Sequence, residues 1–239
     1  MVKKMKFLLI IPAYNEEDCI LNTIKKIDTY NKTNKLKVDY IVINDGSTDN
    51  TEKILKENKI NHIKLLNNLG IGGAVQSGYK YAFENDYDIA IQFDGDGQHD
   101  INYVNNLIKP IVDEKVDMTI GSRFVVNDKN NFKSTFTRRI GINLISFIIK
   151  FLTRKKIFDP TSGYRAVNKN IIKFFSENYP FEYPEPVSEV ALLKRNYKIK
   201  EVYVKMYKRQ GGKSSIHAWK NVYYMINVTI AMIIESIKR

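Results

Sequence analysis

The chain has 239 residues, enough for one large α/β domain with a sizeable core, and its 44% hydrophobic and 27% charged content is that of a soluble globular protein. The net charge of +12 suits nucleic acid, anionic membrane or phosphorylated substrates, and the lack of a zinc-finger or RNP-type aromatic motif turns the reading away from nucleic acid. A single cysteine, Cys19, excludes a disulfide framework and fits a reducing cytoplasm, and one cysteine with three scattered histidines gives no zinc cluster.

The apolar run Phe7 to Ile11 predicts a first strand; it breaks at Pro12 and meets Asn15-Glu16-Glu17, so it reads as a strand and not as a signal peptide. Glu17 to Tyr30 predicts a helix with Ile20, Leu21, Ile24 and Ile27 on one face. A strand at Tyr40 to Ile43, a short helix near Thr51 to Glu57 and a third strand at Ile63 to Leu66 follow. Ala74 to Phe83 predicts a helix after the Gly-rich turn Asn67 to Gly73, which lacks the G-K-[ST] ending of a P-loop. Ile89 to Phe93 is a short buried strand, Asp100 is placed to cap a helix from Ile101, and Met118 to Gly121 is a fifth strand. This alternation argues an α/β fold, a mostly parallel sheet with helices on both faces. Asn127 to Ser134 is the most loop-like stretch.

Two later segments have a different character. Arg138-Arg139 opens an apolar stretch running to Leu152 and closed by Arg154-Lys155-Lys156. It is too short and interrupted for a bilayer span, which needs ~20 mostly apolar residues, and suits either an interfacial amphipathic helix or a core helix with solvated ends. Val222 to Ile237, preceded by Trp219, predicts a second helix of interfacial or partner-binding kind. The expected division is residues 1–215 as the main domain and 216–239 as a C-terminal membrane- or partner-associating helix.

The most informative stretch is Asp94-Gly95-Asp96-Gly97-Gln98-His99-Asp100, directly after the fourth strand. Open α/β sheets bind ligands beyond the carboxyl ends of their strands, and carboxylates there share Mg²⁺ or Mn²⁺ with substrate phosphates. A solvated turn is the plain alternative. An EF-hand loop is excluded, because its sixth position would be Gly and is His99, and its twelfth would be Glu and is Asn105.

Four further motifs accompany the acidic one. They are Ile11-Pro12-Ala13-Tyr14-Asn15-Glu16-Glu17, Asn44-Asp45-Gly46-Ser47-Thr48-Asp49, Gly121-Ser122-Arg123, and Asp159-Pro160-Thr161-Ser162-Gly163-Tyr164-Arg165. Five motifs in this order resemble a family-2 glycosyltransferase of the GT-A fold, and most of all the dolichyl- and polyprenyl-phosphate sugar transferases. The likeness spans roughly residues 5 to 215.

The resemblance implies that Pro12, Tyr14, Glu16, Asp45, Asp94 and Asp96 bind a nucleotide diphosphate sugar, though Asp45 also suits an Asx-turn and Asn44 stands where relatives often carry Asp. It implies that Asp94, Asp96 and Gln98 hold Mg²⁺ or Mn²⁺, with Asp96 the main ligand. It places Arg123, Arg138 and Arg139 at an acceptor phosphate, and Asp96, Asp159, Arg165 and Arg209 at the reacting centre. Arg209 belongs to Arg209-Gln210-Gly211-Gly212-Lys213-Ser214, which resembles the family's loop that closes over the site. A phosphate acceptor is already an anion and needs cations in place of a base. The expected reaction is inverting transfer of one sugar from a UDP- or GDP-sugar to polyprenyl phosphate at the cytoplasmic membrane face, with no nucleic-acid partner. A small integral membrane protein docking on the C-terminal helix is a further expected partner. The alternatives are transfer to a saccharide hydroxyl with Glu185 or Asp159 as base, and a catalytically idle subunit that keeps the fold. Pro184-Glu185-Pro186 replaces the adjacent acids of hydroxyl-directed relatives, and no Q-x-x-R-W motif of processive synthases occurs.

Overall fold

A computed structural model describes residues 5–126, 136–207 and 218–238. The expectations for the loop at 127–134, for Arg209 and for the Arg209–Ser214 segment lie outside the described residues.

A seven-stranded sheet runs through the molecule. Its strands are β1 Phe7–Ala13, β2 Asp39–Asn44, β3 His62–Lys64, β4 Ile89–Gln92, β5 Met118–Ser122, β6 Arg165–Asn168 and β7 Ile199–Tyr203, in the spatial order β3-β2-β1-β4-β6-β5-β7. All neighbouring pairs are parallel except those of β6, which runs against both β4 and β5. The reversal matters for function. It delivers the loop before β6 to the edge of the sheet where β1, β2, β4 and β5 end.

Period-two alternation on β1 divides the core. Leu8 and Ile10 face a cluster with α3 Gly70–Glu84, α6 Lys169–Asn178 and α7 Pro184–Lys194; Leu9, Ile11 and Ala13 face one with α1 Ile20–Thr33 and α4 Val104–Asp113. Both faces are covered, as strands apolar on both sides require. The short α2 Thr51–Glu57 follows β2, and a single 3₁₀ turn, Ile101–Tyr103, precedes α4 with the Asp100 carboxylate accepting from the Asn102 amide, the cap expected from sequence. Two late helices, α5 Phe136–Thr153 and α8 Ala218–Ile237, pack their inner faces (Ile145, Ile149, Val228, Met232) into the α3 side of the core. No helix among the described residues is long and apolar enough to cross a membrane.

Boundaries shift where packing overrides local signals. Helix α1 begins at Ile20, not Glu17, because residues 14–19 form a turn tied to the segment after β2. Helix α3 begins at Gly70, four residues before the expected Ala74. The Gly-rich turn is part of the helix, and Gly72 sits so close to the carbonyls of Pro180 and Phe181 that a Cβ would lie 2.4 Å or less from them. Close approach of α3 to the segment after α6 demands glycine there, so the helix tolerates it.

Candidate active site

The site grows from the carboxyl ends of β1, β2 and β4. Strand β1 stays paired with β2 as far as Ala13 and Asn44, but its pairing with β4 stops at Ile10 and Gln92. Pro12 stands just past that point, where a missing N–H breaks no ladder bond. Beyond it β4 turns aside, and Gly95 passes over the Pro12 carbonyl.

The turns after β1 and β2 are laced together. The Asn15 amide donates to Ser47 Oγ at 3.0 Å, the Glu16 amide to Thr51 Oγ1 at 2.9 Å, and the Thr48 amide to Asn15 Oδ1 at 2.8 Å. Tyr14 remains 46% exposed at the rim, while Glu16 is buried at the head of α1. Asp45 is buried and its Oδ1 accepts the Leu69 amide at 2.7 Å, tying β2 to the start of α3 instead of closing an Asx-turn on its own backbone. Burial raises the Asp45 carboxyl above its ordinary value, and the amides of Leu69 and Gly70 pull it back. Asn44 is fully buried, its amide donating to Glu52 Oε2 at 2.6 Å and accepting from the Ser47 amide.

The acidic loop folds over His99. The Asp94 amide donates to His99 Nδ1 at 2.9 Å, and His99 Nε2 lies 3.4 Å from Asp94 Oδ2. The imidazole stacks on Tyr164 at 4.6 Å and meets the edge of Phe93. Burial pushes it down to about 4, with Asp96 opposing that shift and Arg123 adding to it. Asp96 Oδ1 accepts the Gln98 amide at 2.9 Å. Gln98 and Tyr207 are joined through Tyr207 N–H to the Gln98 carbonyl at 3.0 Å and the Gln98 side-chain amide to the Tyr207 carbonyl at 3.4 Å. The acidic loop is thereby linked to the segment after β7.

A polar cavity of about 90 Å³ opens beside this loop, lined by Asp94, Gln98 and His99 together with Arg123, Arg138 and Thr161. Asp94, about 30% exposed at its side chain, faces the cavity; Asp96, which the sequence made the main ligand, is buried and lies off its wall. Among the described residues no three His, Cys, Asp or Glu side chains converge as a self-sufficient metal cluster. Asp94 and Gln98 on the cavity wall nevertheless supply hard oxygen donors, which fit a divalent ion completed by substrate phosphates and water, with the buried Asp96 carboxylate close in sequence.

Arg123 is built into place. Its Nε donates to Asp159 Oδ2 at 2.7 Å and its Nη2 to Asp159 Oδ1 at 2.6 Å, with Asp159 fully buried. The Asp159 backbone is in turn held by Glu201, whose two carboxylate oxygens accept the amides of Phe158 and Asp159 at 2.7 and 2.8 Å. Glu201 escaped the sequence reading, since nothing local marks a β7 residue that clasps amides 42 and 43 positions away. At the start of α5, Arg138 lines the cavity, whereas Arg139 lies 3.6 Å from the Phe124 ring centre and off the cavity wall.

Arg165 departs from its expected place at the reacting centre. It is 1% exposed, and its donors go to the carbonyls of Ser162, Glu185 and Pro160, Ser188 Oγ and Glu189 Oε1. Five acceptors meet the five N–H groups a guanidinium has. The side chain therefore pins α7 to the loop before β6 and presents no donor to a substrate. Glu185 lies in the first turn of α7, next to Gln92 and in the field of Asp94; burial raises its carboxyl, with Arg165 opposing.

Residues 8–175 match the glycosyl transferase family 2. The chain belongs to that family. It is a glycosyltransferase, and it is 32% identical to the UDP-N-acetylglucosamine–dolichyl-phosphate N-acetylglucosaminyltransferase of Methanococcus voltae, over 95% of this chain and 97% of that one. It is 25% identical to the undecaprenyl-phosphate mannosyltransferase of Micrococcus luteus, over 94% and 93% of the two chains. Among solved structures, glucosyl-3-phosphoglycerate synthase from Mycobacterium tuberculosis, in complex with Mn²⁺, UDP and phosphoglyceric acid, superposes with a TM-score of 0.69 at 18% identity, covering 97% of this chain and 78% of that one. That likeness establishes the GT-A fold expected from the sequence.

Proposed function

We propose that this glycosyltransferase moves one sugar from a nucleoside diphosphate sugar onto a polyprenyl phosphate, with inversion at the anomeric carbon. The observation that carries the reading is one cavity lined by both a carboxylate, Asp94, and two guanidinium groups, Arg123 and Arg138. The carboxylate suits a divalent cation with the donor diphosphate, and the guanidinium groups suit an anionic acceptor. Relatives named for dolichyl- and undecaprenyl-phosphate acceptors support the choice of lipid phosphate.

In this reading Pro12, Tyr14, Glu16 and Asp45 border the nucleoside. Asp94, Asp96 and Gln98 would hold Mg²⁺ or Mn²⁺, which would neutralise charge on the departing diphosphate. Arg123 and Arg138 draw the acceptor phosphate to the anomeric carbon. A phosphate oxygen forms the new bond as the bond to the donor phosphate breaks, and no proton has to leave the acceptor. Asp159 serves by orienting Arg123, and Arg165 by holding the loop and α7 in place.

The lipid reading also accounts for an exposed apolar surface. Helix α5 shows Ile140, Leu144, Phe147 and Phe151 to solvent, and α8 shows Ile226, Ile230, Ile234 and Ile237. No acid occurs in α5, and the one acid of α8, Glu235, turns inward to Arg195. Arg154, Lys155 and Lys156 stand at the end of α5. An apolar face with a cationic rim fits peripheral attachment to an anionic bilayer, here assigned to the inner face of the cell membrane.

One observation favours a second reading. Glu185, its carboxyl raised by burial beside the site, has the character of a general base for a saccharide hydroxyl. The two readings separate when the protein is given labelled UDP- and GDP-sugars, Mg²⁺ or Mn²⁺, and either polyprenyl phosphate or a lipid-linked saccharide. Label reaching polyprenyl phosphate supports the proposal; label reaching only the saccharide overturns it.

A further inference from the structure

We propose that His99 is a positioning residue that sets the Asp94 carboxylate for the divalent ion, an inference that rests on the donor-site reading above. Nδ1 accepts the Asp94 N–H at 2.9 Å, so the neutral ring carries its proton on Nε2. That nitrogen faces Asp94 Oδ2 at 3.4 Å, close enough to bias which carboxylate oxygen turns to the cavity. One imidazole therefore accepts the backbone amide of Asp94 and lies against the carboxylate of the same residue.

The ring has little freedom to do otherwise. Its side chain is 3% exposed, its plane lies within 13° of the Tyr164 ring, and Phe93 abuts it edge-on at 5.6 Å. Tyr164 is itself fixed, its hydroxyl donating to the Asp100 carbonyl at 3.1 Å. A backbone bridge between His99 and Met206 holds the residue from the other side. Outer partners that orient a ligating carboxylate are typically worth about 10–100-fold in metal affinity. A purely structural aromatic at this position would need only the stack; the hydrogen bond to the Asp94 amide and the nearness of Nε2 to its carboxylate point to the ion.

The test is Mn²⁺ uptake by the intact protein, followed by electron paramagnetic resonance with UDP and separately with GDP. His99→Phe keeps the stack and loses both polar contacts, while His99→Asn keeps an acceptor for the Asp94 amide. Expected is a loss of Mn²⁺ affinity of about 10–100-fold in His99→Phe and a smaller loss in His99→Asn, with both variants retaining the wild-type circular dichroism. Equal affinity in folded His99→Phe and wild type overturns the inference while leaving the donor-site reading intact. Wild type that takes up no Mn²⁺ with either nucleotide overturns that reading and the inference together. An independent check needs no variant. In ¹⁵N spectra of the wild-type imidazole, Nδ1 is expected unprotonated and Nε2 protonated, and Mg²⁺ with the nucleotide should move the Nε2 signal; an unmoved signal counts against the proposal.

Discussion

Arg123 and Asp159 form a buried ion pair closed on two edges, Nε to Oδ2 at 2.7 Å and Nη2 to Oδ1 at 2.6 Å. Asp159 accepts the Arg123 backbone amide as well, at 3.0 Å. Asp159 thereby fixes the Arg123 guanidinium, which lines the cavity that Asp94 also lines.

Removing that acid should therefore injure acceptor binding before donor binding. Asp159→Ala leaves a buried guanidinium without its partner, expected to cost about 3–5 kcal/mol in urea unfolding. In the fraction that folds, KM for polyprenyl phosphate should rise while KM for the donor sugar stays near wild type. A rise confined to the donor would place Arg123 on the other substrate.

The Asn44–Glu52 contact gives a stability prediction with a pH signature. Burial pushes the Glu52 carboxyl up, but Lys56, Asn44 and His62 outweigh it and hold it below its ordinary value. A lowered carboxyl contributes stability above its unfolded value, and that contribution fades as pH falls through the folded one. Asn44→Asp replaces a donor 2.6 Å from Glu52 with a second acceptor. The expected loss is on the order of 2 kcal/mol at about pH 7, shrinking toward about pH 4 as the pair takes up a proton. Chemical denaturation at the two pH values reads it, and a loss that does not vary with pH contradicts it.

Glu185 separates the two acceptor chemistries. Losing a general base typically slows turnover about 10²–10⁴-fold, whereas a phosphate acceptor needs none. Glu185→Gln should leave kcat with polyprenyl phosphate close to wild type. A collapse of that kcat with folding intact would contradict a base-free transfer to phosphate.

Much of this was legible in the chain because strand-end loops carry short, local signals. The β1, β2, β4 and β5 runs are apolar on both faces, and the motifs follow each of them directly. Illegible were the features set by distant pairing. Antiparallel β6 is four residues long and pairs with strands far away in sequence, as in Arg165 against Gln92 and against Ile120. The fate of a charged side chain was hidden for the same reason. Arg123 and Arg165 look alike in sequence, yet one borders a cavity and the other is consumed by Glu189, Ser188 and three carbonyls.

The apolar surface of α5 and α8 predicts membrane attachment. Phe147 and Phe151 are 64% and 78% exposed, so exchanging both for Glu disturbs little packing. Each large apolar side chain withdrawn from water is worth roughly 1.5–3 kcal/mol, and co-sedimentation with anionic vesicles should fall at least tenfold, at about 1.4 kcal/mol per factor of ten. The melting temperature should hold. Undiminished vesicle binding would remove α5 from the attachment surface.

The central claim, that the acceptor is a phosphate, is tested most directly by ³¹P spectroscopy of the lipid after turnover with the preferred donor and Mg²⁺ or Mn²⁺. The account predicts that the polyprenyl phosphate monoester becomes a sugar-bearing diester, in equal amount with the nucleoside diphosphate released. A phosphate that remains a monoester while nucleoside diphosphate accumulates with each UDP- and GDP-sugar would contradict it.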